Sequence, residues 1–573
     1  MQLVRCLRIP ALLCAFAVLV CELIARPYTS MGICDDGPYI LMTRTLATTG
    51  HLVYNGWPAA MLGLQLYVGA AFIKLFGFSF TAVRMSTLLI AMLTAFVLQR
   101  ILVRSGITER NATLGTLALV LSPLYLMLSV TFMSDIFGLF AVVLCLYGCL
   151  RALQSSSDRA AIAWLCFAVL TNALCGTARQ IAWLGILVML PSTLWLLRAR
   201  RRVLIAGSVA TLAGVIFILA CMHWLARQPY VQPEHLIPDT FPIAHAFRQF
   251  THFFLDVPFL LLPILALFLP EIRKSNPRVI AVLFALLLGY LFLATYPSHL
   301  RGGFPLEPTV GEWLGVHGIY DGVTLPGEPP IFLPKALQVL LTIASLGGPL
   351  GLIAGLLRLK DGSPHLDSSR RIFWKRLAIL ITPFTMAYVI LLVPRAATFH
   401  LTDRYLLGLL PVALLVLVGY YQDLIQPRLP LSILLVVGIM AVYGIAITYN
   451  TFALYRARVA IAAEIYAAGI PDTLVDGGWE YNLVVEIDHA NFINFPTITV
   501  PAHAYVRTPP PPAGICQVMN YDNYPRIHPL YGVSFSPNAC YGPAPFAPVH
   551  YSRWLASTPG TLYVVRYSRD VKP

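Results

Sequence analysis

Cys34-Asp35-Asp36-Gly37-Pro38-Tyr39 stands a few residues beyond the first long apolar run of the chain. The reading of these two adjacent carboxylates decides what the rest of the molecule is for. Ionised neighbours repel, and a site built from such a pair can exchange protons with a substrate. Two solvated loop aspartates are the plainer alternative. The surroundings favour chemistry, and they begin with a membrane. The chain has 573 residues, of which 58% are hydrophobic and 12% charged, and its mean hydropathy is +0.73. That composition belongs to a polytopic membrane protein rather than a soluble one.

Apolar runs of the length needed to cross a bilayer predict about thirteen helices. They begin near Ile9, Phe80, Ala112, Ile136, Ala160, Ile181, Val203, Phe253, Val279, Ala336, Leu377, Tyr405 and Leu429. With the N-terminus in the cytoplasm, the cytoplasmic loops collect 21 Lys and Arg against 11 on the opposite face before the tail. The formal charge of +14 therefore signals orientation under the positive-inside rule, and nucleic acid is not an expected partner. Arg5 and Arg8 ahead of an apolar core imitate a secretory signal, but no small-x-small cleavage site follows, so the first span is read as uncleaved.

The segment 26–79 is too long and too apolar for an ordinary connector. Gly37–Thr49 reads as an amphipathic helix, Tyr54-Asn55-Gly56-Trp57-Pro58 as a turn, and Ala59–Phe76 as a second helix lying on the outer surface. Counting that second run as a span would invert every later loop against the charge rule. Two further outer loops, 226–252 and 297–335, have the length of lids or binding segments; the second carries Arg301. The chain divides into a membrane module, 1–450, and a tail, 451–573, expected as a small α/β domain on the outer face, with a helix over Ala453–Ala468 and strands near Thr497–Val500 and Thr561–Tyr567. Most cysteines sit in or beside spans as small apolar filler. Cys516 and Cys540, in the outer tail, are candidates for a disulfide. No His or Cys spacing matches a metal site.

Ionisable residues at the membrane boundary are costly and need a partner or a task. Asp135, in Met133-Ser134-Asp135, opens a span on the same face as Asp35 and Asp36; a helix cap is its plain role. Arg179, Arg395 and Arg404 lie beside helix ends on that face, and Arg84 lies just inside the second span. Each is of the type that anchors at an interface by snorkelling. Gathered with three acids, they suit phosphate recognition by arginine and proton abstraction by carboxylate.

Asp35-Asp36-Gly37-Pro38-Tyr39, Thr48, Gly50-His51, Leu75-Phe76-Gly77 and Arg84, in this order, resemble the first outer loop of the GT-C membrane glycosyltransferases. The likeness is to the protein-mannosyltransferase/aminoarabinose-transferase branch, whose loop reads Asp-Glu-x-x-Tyr, two amphipathic helices, Leu-Phe-Gly and a later Arg. Met133-Ser134-Asp135, Arg179-Gln180 and Arg404-Tyr405 are similar as well. The resemblance covers residues 10–200 by motif and the rest by architecture. It implies an all-α polytopic GT-C fold with a C-terminal α/β extracytoplasmic domain; sparse sequons and a bacterial-looking composition point to a cytoplasmic (inner) membrane with the tail in the periplasm. The implied activity is inverting transfer of a sugar from a polyprenyl-phosphate donor to a hydroxyl of a lipid, glycan or protein. Asp35 would then be the general base, with Asp36 in the usual Glu position and Asp135 as a supporting acid. Tyr39, Arg84, Arg179, Arg301 and Arg404 would contact substrate. No cofactor is implied, with a divalent cation left open. A transporter or flippase of a lipid-linked or charged solute is the alternative class. The chain departs from the family where Lys-Pro-Pro-Leu often begins the second amphipathic helix: Asn55-Gly56-Trp57-Pro58-Ala59 stands there instead.

Overall fold

Away from water a helix satisfies its own main-chain N–H and C=O groups, so apolar runs of this length fold as helices. In the computed structural model the described residues are 8–233, 241–295, 306–308, 314–318, 325–361, 367–398, 401–508, 510, 514–516, 518, 520–556 and 558–569. Among them, seven helices are long and apolar enough to cross a membrane: Phe80–Arg104, Ser134–Leu153, Asp158–Gly176, Arg201–Leu225, Lys335–Arg358, Ser368–Ala397 and Ile433–Ala467. Two bent pairs, Glu109–Val120 with Pro123–Ser129 (71°) and Ile243–Leu260 with Leu262–Lys274 (69°), raise the number to nine if each is one span. Both second halves open with a proline in their first turn, Pro123 and Pro263, where the missing N–H breaks the ladder of the preceding helix. The expected thirteen would need four of the five shorter apolar helices, Ile9–Ala25, Gly63–Phe76, Gln180–Leu196, Pro277–Phe292 and Leu410–Ile425, to cross too.

The segment 26–79 folds as expected into two short helices, Asp36–Thr49 and Gly63–Phe76. At a rise of ~1.5 Å per residue the second is about 21 Å long, short of the ~30 Å hydrocarbon core. It is two-faced: Gln65, Leu66, Gly69, Ala70 and Ile73 are buried, while Tyr67, Leu75 and Phe76 stand exposed. That is the form of a helix lying along an interface.

The tail differs from its sequence reading in two places. The helix expected over Ala453–Ala468 is not separate: Ile433–Ala467 runs unbroken through the boundary drawn at 450. Its 35 residues make about 52 Å, well beyond one bilayer core. Its last turns supply Tyr449, Ala453, Ala457, Ile461 and Ile465 to a core shared with Val475, Val533, Tyr551, Leu562 and Val564. Four strands complete that unit: β1 Val475–Asp476, β2 Tyr531–Ser534, β3 Val549–Tyr551 and β4 Gly560–Arg566, in the order β1-β2-β4-β3. β1 and β2 are parallel and the other pairs antiparallel. The expected strand at Thr497–Val500 is a turn segment, closed off by Pro496 and Pro501. Cys516 and Cys540 are bridged, with Cα atoms 5.8 Å apart.

The helix Trp479–Ala490 of the tail faces the other way. Its Trp479, Leu483, Val485 and Ile487, together with Ile493 and Tyr524, belong to the same core as the membrane helices and the 26–62 loop. The tail is therefore seated on the 26–79 segment.

Candidate active site

A tight turn sets the two acids. Gly32 and Gly37 touch, such that a Cβ on Gly32 would lie 2.8 Å from the Gly37 Cα, and Cys34 adopts the left-handed conformation (φ 52°). The adjacent carboxylates consequently part company.

Asp36 turns inward. Arg84 donates to it through Nε (2.8 Å) and Nη2 (2.9 Å), and both side chains are 0% exposed. The Ile33 N–H (2.7 Å) and the Phe132 N–H (3.2 Å) fill the remaining lone pairs of the carboxylate. Arg84 also donates to the carbonyls of Met31 (2.7 Å) and Thr29 (3.3 Å) and lies over the rings of Phe80, at 5.7 Å, and Phe452, at 5.6 Å. A buried ion pair survives only when its other hydrogen bonds are met in this way. It ties the first loop to the helix Phe80–Arg104 and to the backbone that precedes Ser134.

Asp35 turns outward and is 17% exposed. One oxygen accepts from the indole N–H of Trp57 (3.2 Å) and the other from Arg404 Nη1 (3.3 Å). Asp135 stands in the first turn of Ser134–Leu153, but it is not a cap: the N-cap is Met133 and no side chain caps that end. Its Oδ1 is bound by Arg179, which also reaches Ser134 Oγ (3.5 Å). Its Oδ2 has no hydrogen-bond partner among the described residues and faces Arg404 Nη1 at 3.9 Å. Arg404 thus spans two acids from separate parts of the chain.

Local sequence makes this convergence possible. Gly138, one turn beyond Asp135, leaves room for the Arg179 stem; a Cβ there would lie 2.9 Å from Arg179 Cδ. Arg404 opens a 3₁₀ turn, Asp403–Gly408, where Asp403 Oδ1 accepts its main-chain N–H (2.8 Å). Tyr405 offers its ring to three guanidinium groups, Arg179 at 4.9 Å, Arg404 at 5.5 Å and Arg395 at 5.8 Å. Tyr388 donates to the Tyr405 carbonyl (3.0 Å) and fits against Gly408. Asp135, Arg179, Tyr388 and Arg404 line a crevice scarcely wider than a water molecule. Tyr39 lies buried close by; burial, and then the charge of Asp35, hold its phenol well above the usual tyrosine range.

The structure thus brings Asp35, Asp135, Arg179, Arg404 and Tyr39 into one cluster. It separates Asp36 and Arg84 from that cluster as a closed pair. Arg301 lies outside the described residues. Among the described residues, no three His, Cys, Asp or Glu side chains are grouped to hold a metal ion. Two site residues escaped the sequence reading. Gly138 gave no signal. Trp57 did, because it occupies the very place where the chain departs from the family pattern.

The architecture defines the class: a multi-pass membrane protein whose helix ends gather carboxylates and arginines into one site. The particular likeness follows from comparison. Residues 64–226 match the family model described as dolichyl-phosphate-mannose-protein mannosyltransferase. The resemblance drawn from the loop motifs is borne out, and the chain is similar to GT-C membrane glycosyltransferases of the protein-mannosyltransferase/aminoarabinose-transferase type. No curated protein sequence matches. Among solved structures, ArnT from Cupriavidus metallidurans bound to undecaprenyl phosphate is 14% identical, with TM-score 0.40, over 80% of this chain and 72% of that one. The Archaeoglobus fulgidus oligosaccharyltransferase in the apo form is 15% identical, with TM-score 0.43, over 90% of this chain and 64% of that one. The S. cerevisiae Pmt1-Pmt2 complex bound to the sugar donor is 12% identical, with TM-score 0.28, over 38% and 32%.

Proposed function

We propose that this protein transfers a sugar, with inversion, from a polyprenyl-phosphate donor to an acceptor hydroxyl at the outer face of the cytoplasmic membrane. The observation that carries the reading is Arg404 held between Asp35 and Asp135, which sets a partly exposed carboxylate beside an arginine cluster suited to phosphate. Asp35 takes the proton of the acceptor hydroxyl as its oxygen bonds to the anomeric carbon. The bond from that carbon to the phosphate oxygen breaks, and the polyprenyl phosphate departs with the electron pair. Phosphate is a competent leaving group, so no strong acid is required; Arg404 and Arg179 stabilise its charge. Asp135 is a positioning residue that holds Arg179 in place. Asp36 and Arg84 are assigned to the framework rather than to substrate, because their hydrogen-bonding groups are taken up by each other and the backbone.

On this reading, four of the shorter apolar helices also cross, giving thirteen spans with the N-terminus cytoplasmic. Residues 1–450 form the membrane module, and the 451–573 tail lies outside, in the periplasm. The acceptor is a lipid, a glycan or a protein. The test is Asp35→Asn in membranes supplied with a panel of labelled undecaprenyl-phosphate hexoses and pentoses. Transfer should fall by about 10³-fold or more, as for loss of a group acting directly on the reacting atoms. Transfer near the wild-type rate would refute the base assignment.

A further inference from the structure

The turn that replaces the family's Lys-Pro-Pro-Leu is built into the site, and it is held from outside. Trp57 donates its indole N–H to Asp35 Oδ1 at 3.2 Å. Its ring packs on Trp479, with centroids 5.3 Å apart, and edge-on to Phe495 at 6.0 Å. Both of those rings belong to the tail, more than 400 residues further along the chain. The backbone is clasped as well: the Ile493 N–H donates to the Asn55 carbonyl at 2.8 Å, and the Gly56 N–H to the Tyr230 carbonyl at 2.9 Å. The Tyr230 N–H in turn donates to the Val500 carbonyl at 2.7 Å, and its ring stacks on Phe492. Gly56 is at φ 87°, and a Cβ there would lie 2.6 Å from the Ile493 carbonyl oxygen. Only glycine admits that closeness.

We propose that Trp57 is the positioning residue for Asp35, and that the docked tail, through Trp479 and Phe495, fixes the rotamer of Trp57 and so the aim of the base. The proposal rests on the functional reading given above and deepens it. A carboxylate with two acceptor oxygens and one arginine partner can rotate about its last bond. The indole N–H locks the oxygen that Arg404 does not hold, leaving one orientation toward an incoming hydroxyl. A lysine in this place would contribute charge to an anion. A tryptophan contributes direction to the acid.

The experiment uses the full-length protein in membranes, the undecaprenyl-phosphate sugar panel, and undecaprenyl phosphate itself, the product common to every donor in the panel. Trp57→Phe keeps a ring between Trp479 and Phe495 but removes the donor. Trp479→Ala keeps the donor but removes its support. Both variants should lower kcat about 10- to 100-fold, the scale of a misdirected catalytic group. Donor KM and undecaprenyl phosphate affinity should stay within twofold, because Arg179 and Arg404 are untouched. Protease resistance of the tail, equal to wild type in Trp57→Phe, separates lost aim from lost folding; should Trp479→Ala lose that resistance, Trp479→Phe replaces it, with a smaller fall in kcat expected. Full kcat in Trp57→Phe alongside an inactive Asp35→Asn would overturn the positioning role alone. Wild-type turnover in Asp35→Asn, or a wild-type enzyme consuming no member of the panel, would overturn the functional reading and this inference with it.

Discussion

Two neighbouring aspartates, one residue apart in sequence, should fail in opposite ways when each loses its charge. Asp36→Asn leaves Arg84 charged, 0% exposed and facing an amide, and breaking one side of a buried pair costs about 3–5 kcal/mol. The substitution also swaps an acceptor for an amide donor, which would confront the Ile33 or Phe132 N–H now bonded to the carboxylate. Asp35→Asn touches a carboxylate that is 17% exposed and holds two longer contacts. Its loss should cost roughly 1 kcal/mol or less. Thermal unfolding of the detergent-extracted protein, followed by fluorescence and read as an apparent midpoint at one scan rate, should therefore fall steeply for Asp36→Asn and hardly at all for Asp35→Asn. The double variant Asp36→Asn/Arg84→Met removes the orphaned cation and should recover part of the lost midpoint, a coupling that single deletions cannot report. Transfer activity should order the single variants the other way once corrected for folded protein. Equal midpoints for Asp36→Asn and wild type, or a double variant no better than the single, would show that the pair does not hold the first loop, and the division of labour between the acids would fall.

Arg404→Ala should lower kcat/KM for the lipid donor about 10- to 100-fold, the scale of one lost charge-assisted hydrogen bond; steady-state kinetics with unchanged donor use would remove Arg404 from the phosphate site. In the tail, Glu486 accepts from the Arg526 N–H (3.2 Å), yet burial raises its pKa from 4.5 to about 7. Between those values the folded state holds a proton that the unfolded chain has released, so tail stability should decline as pH rises from about 4.5 to about 7. Glu486→Gln keeps the acceptor for Arg526 and should flatten that decline, leaving the variant the more protease-resistant protein above pH 7; matching pH profiles for the two would contradict it.

How much of this was legible depends on which forces act locally. The helical membrane architecture and the two short helices of the 26–79 segment follow from runs of apolar residues, and those runs are written consecutively. The motif order around Asp35, Asp135, Arg179 and Arg404 was also readable, because each sits at a helix end where a charge is conspicuous. The opposite orientations of Asp35 and Asp36 were not readable. They depend on Gly32 meeting Gly37 and on Arg84 arriving from the next helix, which are tertiary facts. The cap reading of Asp135 failed for a similar reason: Arg179, made room for by Gly138, offers a charged partner that outcompetes loose amides. The separate helix expected over Ala453–Ala468 was not readable either, because Ile433–Ala467 continues without a break where a second core receives its last turns.

The parting of the acids also suits the proposed role of Asp35, a base carried on a loop. A base on a mobile turn would lose its aim, and a base buried in a salt bridge would lose its basicity. Here the neighbouring residue absorbs the structural demand: Asp36 anchors the turn through Arg84 and two backbone N–H groups. That leaves Asp35 partly exposed and restrained, among the described residues, by one indole and one arginine. Adjacent position is what makes this efficient, because anchoring residue 36 fixes the backbone of residue 35 at no expense to its side chain. Swapping the anchor to a distant residue would lengthen the lever arm and loosen the base. On the proposed mechanism the pair acts as one framework acid and one working acid rather than as two carboxylates sharing a proton, and the difference in their partners is what that division requires.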